Sequence, residues 1–102
     1  MALYIIYMTC RDNREAKKIA KHLLSKRLIA CANIFPAESI YRWEGNVVEE
    51  NEAVLIAKTT ADFEIIKTEV EKIHSYEIPC IIRISAEANE EFENWATNET
   101  KG

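Results

Sequence analysis

Few residues in this chain of 102 have side chains suited to binding a metal ion or attacking a substrate. There are two histidines, His22 and His74, and three cysteines, Cys10, Cys31 and Cys80. His74, with Glu77 three residues on and Cys10 as a thiol partner, is the set from which a metal site would be built. Sulfur favours Cu(I) or Zn, imidazole suits Cu and Zn, and carboxylate suits harder ions. The chain has no HxxxH, CxxC or HExxH spacing. That argues against a preformed zinc site within one subunit and leaves open a site shared between subunits. Cys10 lies between an apolar run and a helix start, beside Arg11, and both features lower a thiol pKa. Cys31 and Cys80 lie inside apolar runs, where a free cysteine acts as a small buried hydrophobe. An odd number of cysteines speaks against a disulfide framework.

A second group is aromatic. Tyr41, Trp43 and Tyr76 stand near turns, where large rings anchor an interface or line a small cleft between subunits. Glu44, Glu77 and Lys58 would add polar contacts to either. His22 reads as a helix-face residue without a chemical role. For catalysis, Arg11 after the first strand is the only arginine placed to cradle an acyl phosphate. No glycine-rich loop surrounds it, and no Ser–His–Asp or paired-carboxylate set stands out. The chain therefore reads as a non-enzyme.

With 13 basic and 17 acidic residues the net charge is -4, a surface that repels phosphate backbones. The one basic cluster, Lys17, Lys18, Lys21, Lys26 and Arg27, reads as a solvated helix face. Tyr4 and Tyr7 point to opposite faces of their strand, unlike a stacking platform for RNA. Nucleic acid is not an expected partner. No apolar run approaches the roughly 18–20 residues needed to span a bilayer, so no membrane is expected either. The run Met1 to Tyr7 lacks a basic leader and reads as a first strand, which makes a cytoplasmic protein the default.

These residues are positioned by a short list of elements. Two glycines and two prolines leave most of the chain to regular structure. Leu3 to Met8 is a strand, and Thr9 to Asp12 turn it. Asp12 and Glu15 make a capping pair for a helix over 13–27, with Ala16, Ile19, Ala20, Leu23 and Leu24 as its apolar stripe. A second strand starts at Leu28, is interrupted at Pro36 for want of an N–H, and resumes over 39–43. Glu44-Gly45-Asn46 turns the chain into a long strand over 47–60. Asp62 caps a helix carrying Phe63, Ile66, Val70 and Ile73. His74 closes this helix, where a cation is favoured by the dipole. A strand over 80–85 and a short helix over 89–98 follow, the latter with Phe92, Trp95 and Ala96 facing inward.

The order β-α-β-β-α-β with a tail helix is the ferredoxin-like split βαβ arrangement in a single domain, 1–102. Right-handed crossovers place both long helices on one face of an antiparallel sheet. Yet the strands carry apolar residues at positions of both parities, so the other face needs a cover. The tail helix supplies part of it. The hairpin is also longer than a compact sheet needs, and open edges are seldom left bare. Association of like subunits follows.

The chain resembles the CutA family of divalent-cation tolerance proteins. The resemblance runs from Tyr7 to about Trp95. It is carried by Arg27-Leu28-Ile29-Ala30-Cys31-Ala32-Asn33, Tyr41-Arg42-Trp43-Glu44-Gly45, Lys58-Thr59-Thr60, His74-Ser75-Tyr76-Glu77-Ile78-Pro79 and the late Trp95. It implies a ferredoxin-like subunit in a compact homotrimer, tolerance to divalent ions, copper binding in some members, and no established catalysis. The expected function is thus a cytoplasmic, non-catalytic homotrimer that binds copper or another divalent cation through His74, Glu77 and Cys10, with Tyr41, Trp43, Tyr76 and Trp95 at its interfaces. A trimeric small-ligand signalling protein and an acyl-phosphate hydrolase are the alternatives. Two departures stand out. Ser75 replaces a proline usual after the histidine. A cysteine found near the end of the first strand in some members matches a place near Met8, two residues before Cys10.

Overall fold

The computed structural model describes residues 3–100. Met1 and Ala2, grouped above with the first strand, lie outside the described residues. The elements are β1 (Leu3–Cys10), α1 (Asn13–Ser25), β2 (Cys31–Trp43), β3 (Asn46–Thr59), α2 (Phe63–Ile73), β4 (Ile81–Ala86) and α3 (Glu90–Glu99). The four strands form one antiparallel sheet in the order β2-β3-β1-β4, which is the ferredoxin-like arrangement.

Period-2 alternation assigns the two faces. From β1, Ile6, Met8 and Cys10 point to the helix side, and they join Leu55 and Ala57 of β3 in the main core. Ala16, Ile19, Ala20 and Leu23 of α1 and Ile66 and Val70 of α2 close it. The capping predictions hold. Asp12 accepts from the Glu15 amide at 2.8 Å, and Asp62 accepts from the Glu64 amide at 2.7 Å.

The opposite face is unevenly covered. At one end, Leu3, Ala30 and Ala96 are buried together under α3, with Phe92 packed on them. Further along, Ile82 and Ile84, paired with Tyr7 and Ile5, are 46% and 48% exposed, and Phe35, opposite Val54, is 43% exposed. Trp95 departs from its inward expectation. It is 44% exposed beside Phe92, because α3 turns Ala96, a smaller side chain, to the sheet.

Three boundaries shift for physical reasons. Leu28 to Ala30 are buried linker rather than strand. Helix α1 ends in a Schellman motif, in which Leu28 donates to the Leu23 carbonyl and Arg27 to that of Leu24. Arg27 takes the left-handed position (φ 57°) that glycine favours, and its guanidinium reaches the carbonyls of Asn98 and Glu99, tying down α3. Pro36 does not interrupt β2; it pairs with Ala53. β2 is the edge strand, where a missing donor can face away from the ladder. Thr9 and Cys10 continue β1, opposite Val54 and Ala53, instead of starting the turn.

The β2–β3 hairpin runs unbroken from Cys31↔Lys58 to Trp43↔Asn46. Its two central turn residues, Glu44 (φ 49°) and Gly45 (φ 84°), both have positive φ, the signature of a type I′ turn matched to strand twist. Helices α1 and α2 stop short of the hairpin tip, and the molecule measures 45 × 25 × 21 Å.

Candidate functional site

Two adjoining places at the hairpin-side end of the sheet gather the chemistry-bearing residues. The first is a cluster of Cys10, Glu15 and His74, whose ligand atoms lie within 4.8 Å of one another. Cys10 ends β1, Glu15 opens α1 and His74 caps α2. The structure thus brings Cys10 and His74 together as expected. The third member is Glu15, whereas Glu77 is exposed and lies on the wall of the neighbouring cavity.

Every polar atom of His74 and Glu15 in the cluster has a backbone partner. His74 Nε2 lies 2.9 Å from the Thr9 carbonyl, and its Nδ1 lies 3.0 Å from the Tyr76 amide. A carbonyl only accepts and an amide only donates. Nε2 is thus placed to donate to the carbonyl, and Nδ1 to accept from the amide. Glu15 Oε1 accepts from the Arg11 amide at 2.8 Å, and Oε2 accepts from the Ser75 amide at 2.9 Å. Burial acts to raise the Glu15 carboxyl, but the Ser75 hydroxyl and the Arg11 and Ser75 amides outweigh it and hold it below its ordinary range.

Cys10 is fully buried, and burial, followed by the carboxylates of Glu15, Glu52 and Asp12, pushes its thiol up to about 12. The lowered pKa expected from Arg11 does not occur. The strand extends two residues further than anticipated and carries the sulfur into the core, while Arg11 stays outside, exposed beside Asp12. A metal ligand must be a thiolate or offer a free lone pair. The imidazole lone pair is turned to the Tyr76 amide, and each Glu15 oxygen accepts one backbone amide. As it stands, the cluster is a latch joining the ends of β1, α1 and α2.

The second place is a cavity of about 580 Å³ between the outer half of the hairpin and the segment after α2. Its lining includes Ile40, Tyr41, Trp43, Tyr76, Ile78 and Cys80, with the carboxylates of Glu52 and Glu77. Tyr76 joins the two places: its amide serves His74, and its hydroxyl donates to Glu52 Oε2 at 2.6 Å. Burial, then the bond to Glu52, raises the Tyr76 phenol. The hydrogen bond to Glu50 raises the Tyr41 phenol to about 12. Cys80 is half-buried on this wall, and Cys31 is half-exposed on the edge strand, so neither is the fully buried hydrophobe its apolar run predicted.

Sequence reasoning missed Glu15 as a latch and Glu52 altogether. The Asp12–Glu15 spacing announced a helix cap, but not that the carboxylate would reach back to Arg11 and across to Ser75. Glu52 sits among Glu49, Glu50 and Asn51, a run that reads as a solvated strand face; only its register opposite Ala37 and the approach of Tyr76 bury it. His22, taken as an inert helix-face residue, bonds Glu69 at 2.9 Å, and Lys72 and Lys26 flank the same carboxylate.

The fold and these two places define a class: a small ferredoxin-like subunit with a projecting hairpin and a partly uncovered sheet. A family model described as CutA1 divalent ion tolerance protein matches residues 4–99. The chain belongs to this family. The divalent-cation tolerance protein CutA of Pyrococcus horikoshii is 41% identical over 101 residues, covering 97% of this chain and 99% of the relative. The solved structure described as the periplasmic divalent cation tolerance protein CutA from Archaeoglobus fulgidus superposes with a TM-score of 0.94 at 40% identity, over 97% of this chain and 99% of that one. The PII-like protein CutA from Nostoc sp. PCC 7120, in apo form, gives a TM-score of 0.87 at 28% identity, over 98% of this chain and 97% of that one. No helix among the described residues is long and apolar enough to cross a membrane.

Proposed function

We propose that this protein acts in divalent-cation tolerance as a non-catalytic homotrimer without a resident metal ion in the Cys10 cluster. The observation that carries the assembly is the uncovered stretch of sheet, with Phe35, Ile82 and Ile84 exposed on one face and a hairpin that outruns its own subunit. Apolar surface of this kind on a small domain is stabilised by a partner, and closed symmetric association hides it on every copy. Tyr41, Trp43 and Trp95, all exposed, are the rings available to anchor the contact. Sedimentation equilibrium of the 11.8-kDa chain tests this: a species of three subunits is expected, and a monomer at micromolar concentration overturns it.

For the cation, the reading separates copper from the latch. Copper at Cys10 and His74 would have to displace a firmly held thiol proton and break the bond to the Tyr76 amide. The exposed carboxylates, Glu77 among them, remain open to divalent ions. Calorimetry with Cu(II), Cu(I) and Zn(II) should show weak binding that Cys10→Ser leaves unchanged. One tightly bound copper per subunit, lost in Cys10→Ser, would overturn this assignment. The three unpaired thiols agree with a cytoplasmic setting, and cell fractionation distinguishes it from the periplasmic setting named for the Archaeoglobus relative.

A further inference from the structure

We propose that the outward face of α1 is a docking surface for an acidic segment of another protein, with its carboxylates spaced about one helical turn apart. Arg14, Lys17, Lys18 and Lys21 stand at i, i+3, i+4 and i+7 and share one face of the helix. All four are exposed. They spread over roughly 10 Å of helix axis, at about 1.5 Å per residue. The only acid in α1, Glu15, is buried and turned to the backbone amides of Arg11 and Ser75. The face thus carries positive charge alone, on a chain whose net charge is -4.

The second, independent observation is the pairing of the lysines. Lys26 and Lys72 pair with Glu69, Lys67 pairs with Glu64, and Lys58 donates to the Asn33 side chain. Arg14, Lys17, Lys18 and Lys21 make no ion pair and no side-chain hydrogen bond among the described residues. The stripe also works against its own helix. Arg14 lies in the first turn, where the dipole favours anions. Like charges at these spacings repel along the whole face. A local conflict of this kind marks a surface kept for something other than stability.

The surroundings select the partner. His22 and Lys26 turn to Glu69, which places α2 along one flank of α1. The stripe lies outside that contact, on the helix side of the sheet. Phe35, Ile82 and Ile84, assigned to contact between copies, lie on the other side, so the stripe stays open in that assembly. Leu24, 42% exposed and three residues after Lys21, gives the same face an apolar end. A phosphate group concentrates its charge and is held by converging arginine forks, whereas these cations are mostly lysines strung along an axis. A flat anionic lipid surface would also meet the exposed Glu64 and Glu71 of α2. A long polyanion is opposed by the net charge of the chain. Single carboxylates about a turn apart, with an apolar residue near one end, complement the face charge for charge.

The test titrates the full chain into a fluorescein-labelled peptide with glutamates at i, i+3, i+4 and i+7 and a leucine one turn further, read by anisotropy. Saturable binding is expected at about 0.01 M salt. It should weaken at least about fivefold at 0.15 M, as the Debye length falls from about 30 Å to about 8 Å. The same peptide with glutamines should be silent. Lys17→Glu combined with Lys21→Glu should weaken binding about tenfold or more. Lys67→Glu combined with Lys72→Glu makes the same change of net charge on α2 and should stay within about twofold. Circular dichroism checks that both double variants are folded. No saturable binding at low salt, equal binding of the glutamine peptide, or equal loss in the two double variants would each overturn the proposal. Tighter retention on phosphatidylserine vesicles than on the peptide would also overturn it, assigning the face to a lipid surface.

Discussion

Glu15 and Glu52 are both buried carboxylates, and they lie on either side of the His74–Tyr76 segment. Around Glu15 the backbone supplies a donor for each oxygen. Around Glu52 one phenol is the hydrogen-bond partner among the described residues. Removing a partner from a satisfied buried group costs the full desolvation penalty of what is left behind. Hydrogen-bond completeness therefore separates a carboxylate locked to the backbone from one held by a single side chain. Residue type alone makes no such distinction, since Cys, Glu and His in a tight group resemble a metal centre until their lone pairs are counted.

The sharpest way to break this comparison is thiol chemistry. With its thiol at about 12 against an ordinary 9.0, Cys10 has about a thousandfold less thiolate near neutral pH, and it is fully buried. Iodoacetamide should label Cys31 and Cys80 in the native protein and Cys10 only after denaturation. Prompt native labelling of Cys10, read by peptide mass spectrometry, would mean that the latch is open.

The next largest effect compares the same isosteric change on both sides. Glu15→Gln places an amide NH₂ against a backbone donor and should cost about 1–3 kcal/mol in urea unfolding. Glu52→Gln should cost less than about 1 kcal/mol or stabilise, since it removes a nearly buried charge with a single partner. The Glu15 carboxyl is depressed in the folded state. Its contribution is thus fully present above the ordinary carboxylate range and lost as pH falls through the folded value. Glu15→Gln should flatten that acid limb.

The smallest effect concerns Ser75. Its amide donates to Glu15, a bond proline could not make. His74 already has φ -76° and ψ 140°, the extended conformation required before proline. Ser75→Pro removes this amide and the hydroxyl that also serves Glu15, and should lose about 1–2 kcal/mol of hydrogen bonding. It should regain about 0.4–1 kcal/mol through the stiffer unfolded chain. A midpoint shifted by more than the Glu15→Gln variant would show that the amide matters beyond this one bond.

Much of the architecture was legible because periodicity and caps are local. The stripe Ile19, Ala20 and Leu23, the caps Asp12 and Asp62, and the Glu44-Gly45 turn each announce an element within a few residues. The uncovered sheet face was legible too, from Tyr7, Ile82 and Ile84 falling at the parity opposite the core. What was not legible depends on register. Cys10 moved from turn to core because β1 pairs as far as Ala53. Glu52 is buried because of a tyrosine 24 positions away. The structure brings His74 and Cys10 together, but the backbone partners of His74 and the burial of Cys10 are revealed by no spacing rule.

The long hairpin has a consequence in time. Its ladder zips from Trp43↔Asn46 outward over a two-residue turn, whereas β1 must find Ala86 from Leu3 across most of the chain. Closing a short loop loses little chain entropy and happens early; closing a long one comes late and slows folding. The hairpin tip, with Tyr41 and Trp43, is thus built before the sheet that carries it is complete. A nascent chain presents its sticky arm first, and encounters between copies compete with the docking of its own β1 and β4.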